Sequence, residues 1–565
     1  MINMNKQFSY LIPHSILVIS LFCSFQRQIL ALPLYTNSRW IVDEEGKRVK
    51  LACVNWPSHL ETMVAEGLSK QPVDTISKKI TSMGFNCVRF TWPLFLATND
   101  SLSKFSVRQS FQSLGLSESI AGIKVNNPSF LELPVLQAFQ AVVKSLADNN
   151  IMVILDNHIS KPGWCCSNFD GNGFFGDKYF DPNLWIKGLT RMATLFNDTS
   201  NVVAMSLRNE LRGSKQNVND WYKYMQTGAE AVHSVNPNVL IILSGLNYDK
   251  DFGFLDKQPV NLTFEGKLMF EVHWYGFSDG QSWANGNANQ VCGSVVDNLM
   301  RRGLFLLEKG YPVLLSEWGV DQRGTNVNDN RYLNCIMGVA AELDLDWALW
   351  TLTGSYYLRE GVMSLDETYG VLSWNWCSAR NSSFIQRISA LQTPFQGPGL
   401  SNSRPHKIIF HPANGLCILR KSLFEPLYLG SCAESEGWNY TPQKNLVIKG
   451  TYFCLQAVGL GKPAKLSILC SDSNSKWEAI SDSKMHLSSN LSNGTAVCLD
   501  VDSSNNIITN ECSCLSVTHM CDPGSQWFKI VNSTTSSCST KLSLPLPGES
   551  PTNLIEDENV WKSSM

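Results

Sequence analysis

Short apolar segments alternate with amphipathic segments between residues 49 and 351. The apolar segments are hydrophobic at nearly every position, which is typical of strands buried on both faces of a parallel sheet. The segments between them repeat apolar residues every three or four positions, which predicts helices. The predicted strands are 49–56, 85–92, 151–158, 203–210, 239–244, 267–274, 311–317 and 346–351, and predicted helices are 72–83, 132–149, 185–196, 221–235 and 330–343.

Eight such units in succession predict an α/β fold, the (β/α)8 or TIM barrel. An open, doubly wound α/β sheet is the alternative, but no glycine-rich nucleotide-binding loop follows the first predicted strand. A barrel assembles its active site from residues at the carboxyl ends of its strands. Those ends are therefore the place to search for functional residues.

Polar and aromatic residues gather at the predicted strand ends. They are Arg89, Asn157, His158, Asn209, Glu210, His273, Trp274, Tyr275, Glu317, Trp318 and Trp350. Glycoside hydrolysis needs two carboxyl groups, because one protonates the leaving oxygen while the other attacks the sugar or activates water. Glu210 and Glu317 follow two separate apolar strands and meet this requirement. Each alone could be a solvated or ion-paired loop residue, but the pairing favours chemistry.

This 565-residue chain is long enough for two domains. Its composition limits the classes of partner that it can bind. Its net charge of −3 and its 17% of charged residues provide no basic face, which argues against nucleic acid. The 17 tryptophans can stack on sugar rings or fill cores. No set of His, Cys and Asp has metal-ligand spacing, and Cys165 and Cys166 favour disulfide formation, so no metal or cofactor is predicted.

The first 31 residues have the layout of a secretory signal, with Lys6 before an apolar run over 8–25 and expected cleavage after Ala31. A membrane anchor is the alternative, but the uninterrupted apolar core is only about ten residues long. Removal of Cys23 leaves an even number of cysteines, which fits an oxidising compartment. We expect a secreted monomer, extracellular or in the cell wall, with no membrane partner after the signal is removed.

The character of the chain changes after the predicted barrel domain (32–397) and a short polar linker (398–404). Helical periodicity ends, and Cys417, Cys454 and Cys498 each begin a similar unit, which predicts three all-β units over 405–540. The tail, 541–565, has the composition of a disordered segment. Seven cysteines lie between residues 32 and 400, and nine lie after residue 400. Both numbers are odd, so complete pairing requires at least one bridge between the domains.

Four motifs carry a family resemblance. Leu155-Asp-Asn-His158, Arg208-Asn-Glu210, His273-Trp-Tyr275 and Ser316-Glu-Trp318 stand in this order on the predicted strands. Residues 35–390 resemble glycoside hydrolase family five, and the whole chain is similar to its secreted plant members. The resemblance implies a retaining mechanism with Glu210 as acid/base and Glu317 as nucleophile.

The same resemblance assigns the other residues of the cleft. Asn209 would bond the sugar 2-hydroxyl, while His158 and His273 would orient the sugar and the nucleophile. Trp350 would be the floor on which the sugar stacks. Arg89 and Tyr275 are the candidates that keep Glu317 ionised, because two close carboxylates repel and one must hold a proton.

The second domain resembles the β-trefoil of ricin B-type lectins. Asp500 stands where those lectins grip sugar, and Gln526 and Trp527 match their Q-x-W signature. The first two units lack the aspartate, and no Trp or Tyr precedes the second cysteine of the third unit. Two interpretations stay open, a working sugar site and a structural appendage.

The leading hypothesis is a secreted retaining endo-β-glycosidase acting on a carbohydrate polymer, of glucan or mannan type. A carbohydrate-binding protein without turnover is the first alternative, and a transglycosylase that uses the same two carboxylates is the second. The loop at 163–176, rich in glycine and aromatic residues, could wall the cleft or could be a surface loop held by disulfides.

Overall fold

The computed structural model describes residues 32–400, 404–423, 425–516 and 521–535. The predicted signal sequence, the predicted tail and Cys538 lie outside the described residues. A hairpin of β1 (Tyr35–Asn37) and β2 (Trp40–Val42) precedes eight parallel strands. The eight are β3 (Ala52–Trp56), β4 (Cys87–Pro93), β5 (Met152–Ile159), β6 (Val202–Ser206), β7 (Leu240–Ser244), β8 (Leu268–His273), β9 (Val313–Trp318) and β10 (Asp346–Leu349).

These eight strands form a closed barrel, because β10 pairs in parallel with both β9 and β3. The (β/α)8 prediction is confirmed, and the open doubly wound sheet is excluded. The helices are α1 (Val73–Ser82), α2 (Leu94–Thr98), α3 (Asp100–Ser103), α4 (Val107–Ser113), α5 (Ser117–Asn126), α6 (Val135–Asp148), α7 (Pro182–Leu195), α8 (Val218–Val235), α9 (Ser282–Asn285), α10 (Ala288–Arg302), α11 (Val327–Leu343) and α12 (Ser382–Ile388). A small hairpin, β11 (Leu358–Arg359) and β12 (Val362–Met363), follows the last barrel strand.

The interior of the barrel changes from apolar to charged toward the carboxyl ends of the strands. Side chains such as Cys53, Ile154 and Leu314 form the apolar part, and the β1–β2 hairpin packs against it. Because strand side chains alternate between the two faces, Arg89 points inward two residues after Cys87. Arg89 meets carboxylates from other strands there, including Asp156 at 3.1 Å. The charged layer lies directly beneath the rim that carries the predicted site.

The second domain is built from short antiparallel strands. They are β13 (His406–His411), β14 (Leu416–Leu419), β15 (Tyr428–Gly430), β16 (Trp438–Tyr440), β17 (Leu446–Ile448), β18 (Cys454–Gln456), β19 (Lys462–Pro463), β20 (Lys465–Ser467), β21 (Glu478–Ala479), β22 (Leu487–Asn490), β23 (Ala496–Val501), β24 (Ile507–Asn510) and β25 (Lys529–Ser533). The last strand returns to pair with β13. Trp438, Trp477 and Phe528, one from the end of each unit, meet in a common core. This arrangement fits a β-trefoil, as predicted.

The two domains share a hydrophobic core. Phe410, Met485 and Trp527 of the trefoil belong to the same buried cluster as the barrel helices. The indole of Trp527 donates to Asn289 Oδ1 of α10 at 2.8 Å, and Lys529 forms an ion pair of 2.7 Å with a glutamate of α11. Helix α11 is buried along nearly its whole length because the barrel covers one side and the trefoil the other. The trefoil is therefore a structural part of the barrel's outer wall.

This shared core predicts that the domains unfold together. We expect Trp527→Ala to lower the free energy of unfolding by about 3–5 kcal/mol, mainly through the lost packing of the indole and also through its lost hydrogen bond to Asn289. Differential scanning calorimetry should show one transition, shifted to lower temperature. Tyr452→Ala is the control, because Tyr452 is 89% exposed on the same domain. Two separate transitions, with the barrel transition unmoved, would contradict the shared core.

The disulfides lie within domains wherever the structure describes both cysteines. Cys53–Cys87, Cys165–Cys166 and Cys292–Cys335 belong to the barrel. The trefoil contains Cys417–Cys432, Cys454–Cys470, Cys498–Cys512 and Cys514–Cys521. Cys377 is an exposed free thiol. Among the described residues, no disulfide joins the two domains. Complete pairing would require such a bridge, but the described cysteines are not all paired.

Over the same described ranges, no helix has the length and apolar character needed to cross a membrane.

Candidate active site

Glu210 and Glu317 meet at the carboxyl-end rim of the barrel. A carboxylate oxygen of each, together with a ring nitrogen of His273, forms a group whose atoms lie within 4.8 Å of one another. His273 Nδ1 lies 2.8 Å from Glu210 Oε1 and 3.7 Å from Glu317 Oε2. Glu317 is in β9, whereas β6 ends at Ser206 and Glu210 follows in the loop. The closed barrel thus brings together two acids that are far apart in the chain.

Glu317 is held by two donors. Arg89 Nη1 donates to Glu317 Oε1 and the hydroxyl of Tyr275 donates to Glu317 Oε2, both at 2.9 Å. The sequence pattern placed Arg89 at the end of its strand. In the structure it lies within the strand, because β4 continues to Pro93. Its long side chain reaches the rim from the charged layer below. The guanidinium also donates to Asn209 Oδ1 at 2.9 Å.

Burial raises the pKa of both acids. It raises the pKa of Glu317 to about 6, although the charges of His273 and Arg89 act in the opposite direction. Burial also raises the pKa of Glu210, with the charge of Arg212 opposing it most. The direct contacts of the two groups differ, because Glu317 accepts from a guanidinium and a phenol while the carboxylate of Glu210 contacts His273. A proton shared by the pair is therefore more stable on Glu210.

Asn209 is fully buried and has no surface in the cavity. Its Oδ1 is occupied by Arg89, and its Nδ2 lies 3.8 Å from the sulfur of Cys165 and 3.6 Å from that of Cys166. The disulfide therefore covers the amide that the sequence assigned to the sugar 2-hydroxyl.

His158 and Trp350 form one side of the site. The two rings stack with centroids 5.6 Å apart, and the ring of His59 lies 4.0 Å behind His158. His158 Nδ1 lies 2.6 Å from Asp156 Oδ2. Burial, followed by the nearby charge of Arg89, holds the pKa of His158 well below its usual value. A neutral His158 therefore donates to Asp156 from Nδ1 and leaves Nε2 as an acceptor.

A strained turn after β7 supports Glu210. Asn247, Tyr248 and Asp249 all have left-handed backbone angles, with φ of 54°, 59° and 58°, and Glu210 itself has φ of 44°. Such angles are costly for residues with side chains and cluster at functional sites. Asp249 Oδ2 accepts the backbone N–H of Glu210 at 3.0 Å and lies 3.4 Å from His273 Nε2. Asp249 therefore fixes the backbone of Glu210 and places its carboxyl group beside the ring of His273.

The loop at 163–176 is both a wall of the cleft and a disulfide-bearing loop. Trp164, Cys165 and Cys166 line the cavity. Arg212 fixes the loop by donating to Ser167 O at 3.0 Å and pairing with Asp170 at 2.6 Å. Because Arg212 lies two residues after Glu210, the wall and the acid are held by one short segment.

The cavity above the two glutamates has a volume of about 480 Å³, which suits a small-molecule or sugar site. Several of its lining residues were not identified from the sequence. These are His59, Tyr248, Lys250, Phe277, Ser278, Arg359, Glu367 and Tyr369. Most lie in loops after the strands, where the sequence shows no periodic pattern.

The three lectin-like residues do not face one common site. Asp500 Oδ2 accepts from Gln526 Nε2 and from Asn510 Nδ2, both at 3.0 Å. Trp527 is turned toward the barrel, where its ring nitrogen donates to Asn289. The indole therefore belongs to the domain interface and cannot stack on a sugar there.

Two groups of side chains in the described residues have enough donor atoms for a metal ion. One is Glu210, His273 and Glu317, and the other is His158 with Cys165 and Cys166. The chemistry of each argues against a resident metal. Arg89 already neutralises Glu317, and the two sulfurs are bonded to each other rather than available as thiolates.

A closed parallel barrel with two glutamates this close at its carboxyl-end rim is a glycoside hydrolase architecture. The chain matches the family described as "Cellulase (glycosyl hydrolase family 5)" over residues 42–355. A glycosyl hydrolase 5 family protein of Chamaecyparis obtusa is 45% identical over 520 residues, covering 89% of this chain and 93% of that protein. The chain therefore belongs to glycosyl hydrolase family 5.

More distant relatives agree with this assignment. An endoglucanase of Paenibacillus polymyxa is 23% identical over 60% of this chain and 84% of its own length. The solved structure of a hyperthermophilic endocellulase from Pyrococcus horikoshii has a TM-score of 0.52 at 20% identity, covering 64% of this chain and 100% of that one. The structural likeness shows the shared fold.

Proposed function

We propose that the protein is a secreted, retaining endo-β-glycosidase that hydrolyses a β-glucan by double displacement. The observation that carries the proposal is the approach of carboxylate oxygens of Glu210 and Glu317 to within 4.8 Å. Retaining glycosidases hold their carboxyl groups about 5–5.5 Å apart, whereas inverting enzymes need about 6.5–9.5 Å to admit a water molecule.

Each glutamate has one role in the first step. Glu317, kept ionised by Arg89 and Tyr275, attacks the anomeric carbon while Glu210 gives its proton to the departing glycosidic oxygen. The product of this step is a glycosyl ester on Glu317. In the second step the ionised Glu210 removes a proton from water, which attacks the anomeric carbon and releases Glu317.

The surrounding residues favour this sequence. His273 contacts the carboxylate of Glu210 and lies near Glu317, so it orients both acids. Trp350 and His158 offer a flat stacked surface for the sugar ring. Arg89 is buried among Asp156, Glu271 and Glu317, which keeps its charge beside the nucleophile in both steps.

The substrate class rests on the relatives. The names endoglucanase and endocellulase belong to the more distant ones, and they favour β-glucan over mannan for this chain. Disulfides throughout both domains fit a protein of an oxidising, extracellular compartment. A binding protein without turnover is less favoured, because it would have no need of two carboxylates that are paired and held in a fixed orientation.

Product stereochemistry tests the proposal. The purified protein is incubated with cello-oligosaccharides, and the products are followed by proton NMR before the anomers equilibrate. We expect the β-anomer to form first. Early α-anomer would exclude the double displacement, and turnover of mannan but not of glucan would exclude the substrate class. Oligosaccharides longer than the substrate would identify the alternative transglycosylase activity.

The acidic limb of the pH profile should depend on Tyr275. Glu317 attacks only when ionised, so kcat/KM falls as the pH drops through its pKa of about 6. Tyr275→Phe removes a donor that favours the ionised form, so the pKa of Glu317 should rise and the limb should move to higher pH by about one unit. Tyr440→Phe is the control, because the hydroxyl of Tyr440 donates to the backbone oxygen of Trp477 in the trefoil, outside the site. A limb that stays in place in Tyr275→Phe would contradict the assignment.

A further inference from the structure

The disulfide between the neighbouring residues Cys165 and Cys166 lies in the wall of the active-site cavity. Disulfides stabilise proteins mainly by closing loops in the unfolded chain, and the benefit grows with loop length. A bridge between adjacent residues closes no such loop. Its contribution to stability through chain entropy is therefore negligible, and its position points to a role in the cavity.

The sulfurs stand between the open cavity and residues that surround the reacting sugar. They lie 3.8 and 3.6 Å from Asn209 Nδ2, and within 4.8 Å of a ring nitrogen of His158. Asn209 has no exposed surface, whereas Cys166 is only half-buried. A ligand that enters the cavity on this side meets the sulfurs before it meets the amide.

The wall around the disulfide is held in place on both sides. Trp164 carries the guanidinium of Arg359 over its ring at 3.4 Å, and Arg359 pairs with Glu367 at 2.9 Å. On the other side the loop is tied to Arg212, as described above. The ring planes of Trp164 and Trp350 are at 66° to each other, and the ring centroids are 6.4 Å apart. The disulfide therefore sits in a fixed frame next to the proposed sugar floor.

We propose that Cys165–Cys166 is a substrate-contacting, specificity-determining wall of the cavity, which presents two sulfur atoms to the sugar beside Asn209. This inference rests on the proposed function and extends it to a particular contact. Disulfide sulfurs donate no hydrogen bonds and accept them weakly. The surface is thus suited to the C–H groups of a sugar and unsuited to an additional hydroxyl pointing at it.

Direct contact can be tested by protection from reduction. The Glu317→Gln variant is saturated with cellohexaose, and tris(carboxyethyl)phosphine is added. The phosphine becomes its oxide with oxygen from water as the disulfide becomes two thiols, which are alkylated and counted by mass spectrometry. We expect the sugar to slow reduction of Cys165–Cys166 by about tenfold or more, because at saturation only the small ligand-free fraction of the variant exposes the bridge to the phosphine. Reduction of Cys454–Cys470 in the trefoil is the control and should not change.

Binding of cellohexaose to the same variant is measured separately by calorimetry. If it binds and the reduction rate of Cys165–Cys166 does not change, the wall is refuted while the proposed function stands. If no glucan or mannan oligosaccharide binds to the variant, the proposed function is refuted, and the wall, which rests on it, is refuted with it.

A paired variant supplies a second readout. Cys165→Ser with Cys166→Ser should raise KM for cello-oligosaccharides by about tenfold through the lost contact. Cys454→Ser with Cys470→Ser should leave KM unchanged. Activity that is unaltered, or that rises when the bridge is removed, would refute the wall. If the paired variant does not fold, the protection experiment on the intact bridge still decides.

Discussion

Replacing Glu317 with glutamine is expected to lower kcat/KM on glucan by about 10⁴-fold or more, because the residue supplies the attacking carboxylate. The variant should fold normally. Arg89, which loses its charged partner at 2.9 Å, retains Asp156 at 3.1 Å and Glu271 at 3.4 Å. The buried guanidinium is therefore not left unpaired. Initial rates on cello-oligosaccharides, together with circular dichroism to verify the fold, measure the effect.

The control for this variant is a glutamate outside the site. Glu308→Gln changes an exposed residue and should leave kcat/KM within about twofold of the parent, as surface substitutions usually do. Activity of the Glu317→Gln protein close to that of this control would show that another group acts as the nucleophile.

Replacing Glu210 with glycine should separate the two chemical steps. Glycine accommodates the φ of 44° without strain and leaves space beside Glu317. Glucan hydrolysis should fall by about 10⁴-fold, because the leaving oxygen of a glucan needs a proton. A dinitrophenyl glucoside leaves without protonation, so its first step should persist and produce a burst of about one equivalent of phenol. The burst is measured by stopped-flow absorbance.

Azide identifies the role of Glu210. An anion that fits the vacated space should attack the glycosyl ester, restore turnover of the dinitrophenyl substrate and yield a β-glycosyl azide. An α-glycosyl azide would mean that attack occurs directly on the substrate, in which case the two glutamates have exchanged roles. The Glu317→Gln variant, which forms no ester, should show neither the burst nor a β-azide.

The trefoil has a clearer structural role than a binding role. It covers α11 and contributes Phe410, Met485 and Trp527 to the core of the barrel. Asp500 is engaged with Gln526 and Asn510, and the signature tryptophan is used at the interface. Of the two interpretations of this domain, these contacts favour the structural one. They also explain why the domains should unfold together.

The local elements, and the rim of the barrel that carries the chemistry, follow from the amino-acid pattern alone. Short continuous apolar segments that alternate with helical segments are typical of interior strands, and helical connections favour parallel pairing. Parallel strands place their carboxyl ends at one rim, so Glu210, His273 and Glu317 were expected to lie near one another. The three cysteine-led units likewise indicated a threefold all-β domain before any contact was known.

The contacts between individual side chains could be identified only in the folded chain. Arg89 reaches Glu317 from within its strand because the closed barrel directs long side chains up its axis, which a linear pattern does not reveal. Three other features also depend on the folded chain. They are the disulfide over Asn209, the left-handed turn that holds Glu210 through Asp249, and the position of Trp527 at the domain interface. Periodicity records whether a residue faces core or solvent, whereas loop paths and domain packing depend on contacts between residues far apart in the chain.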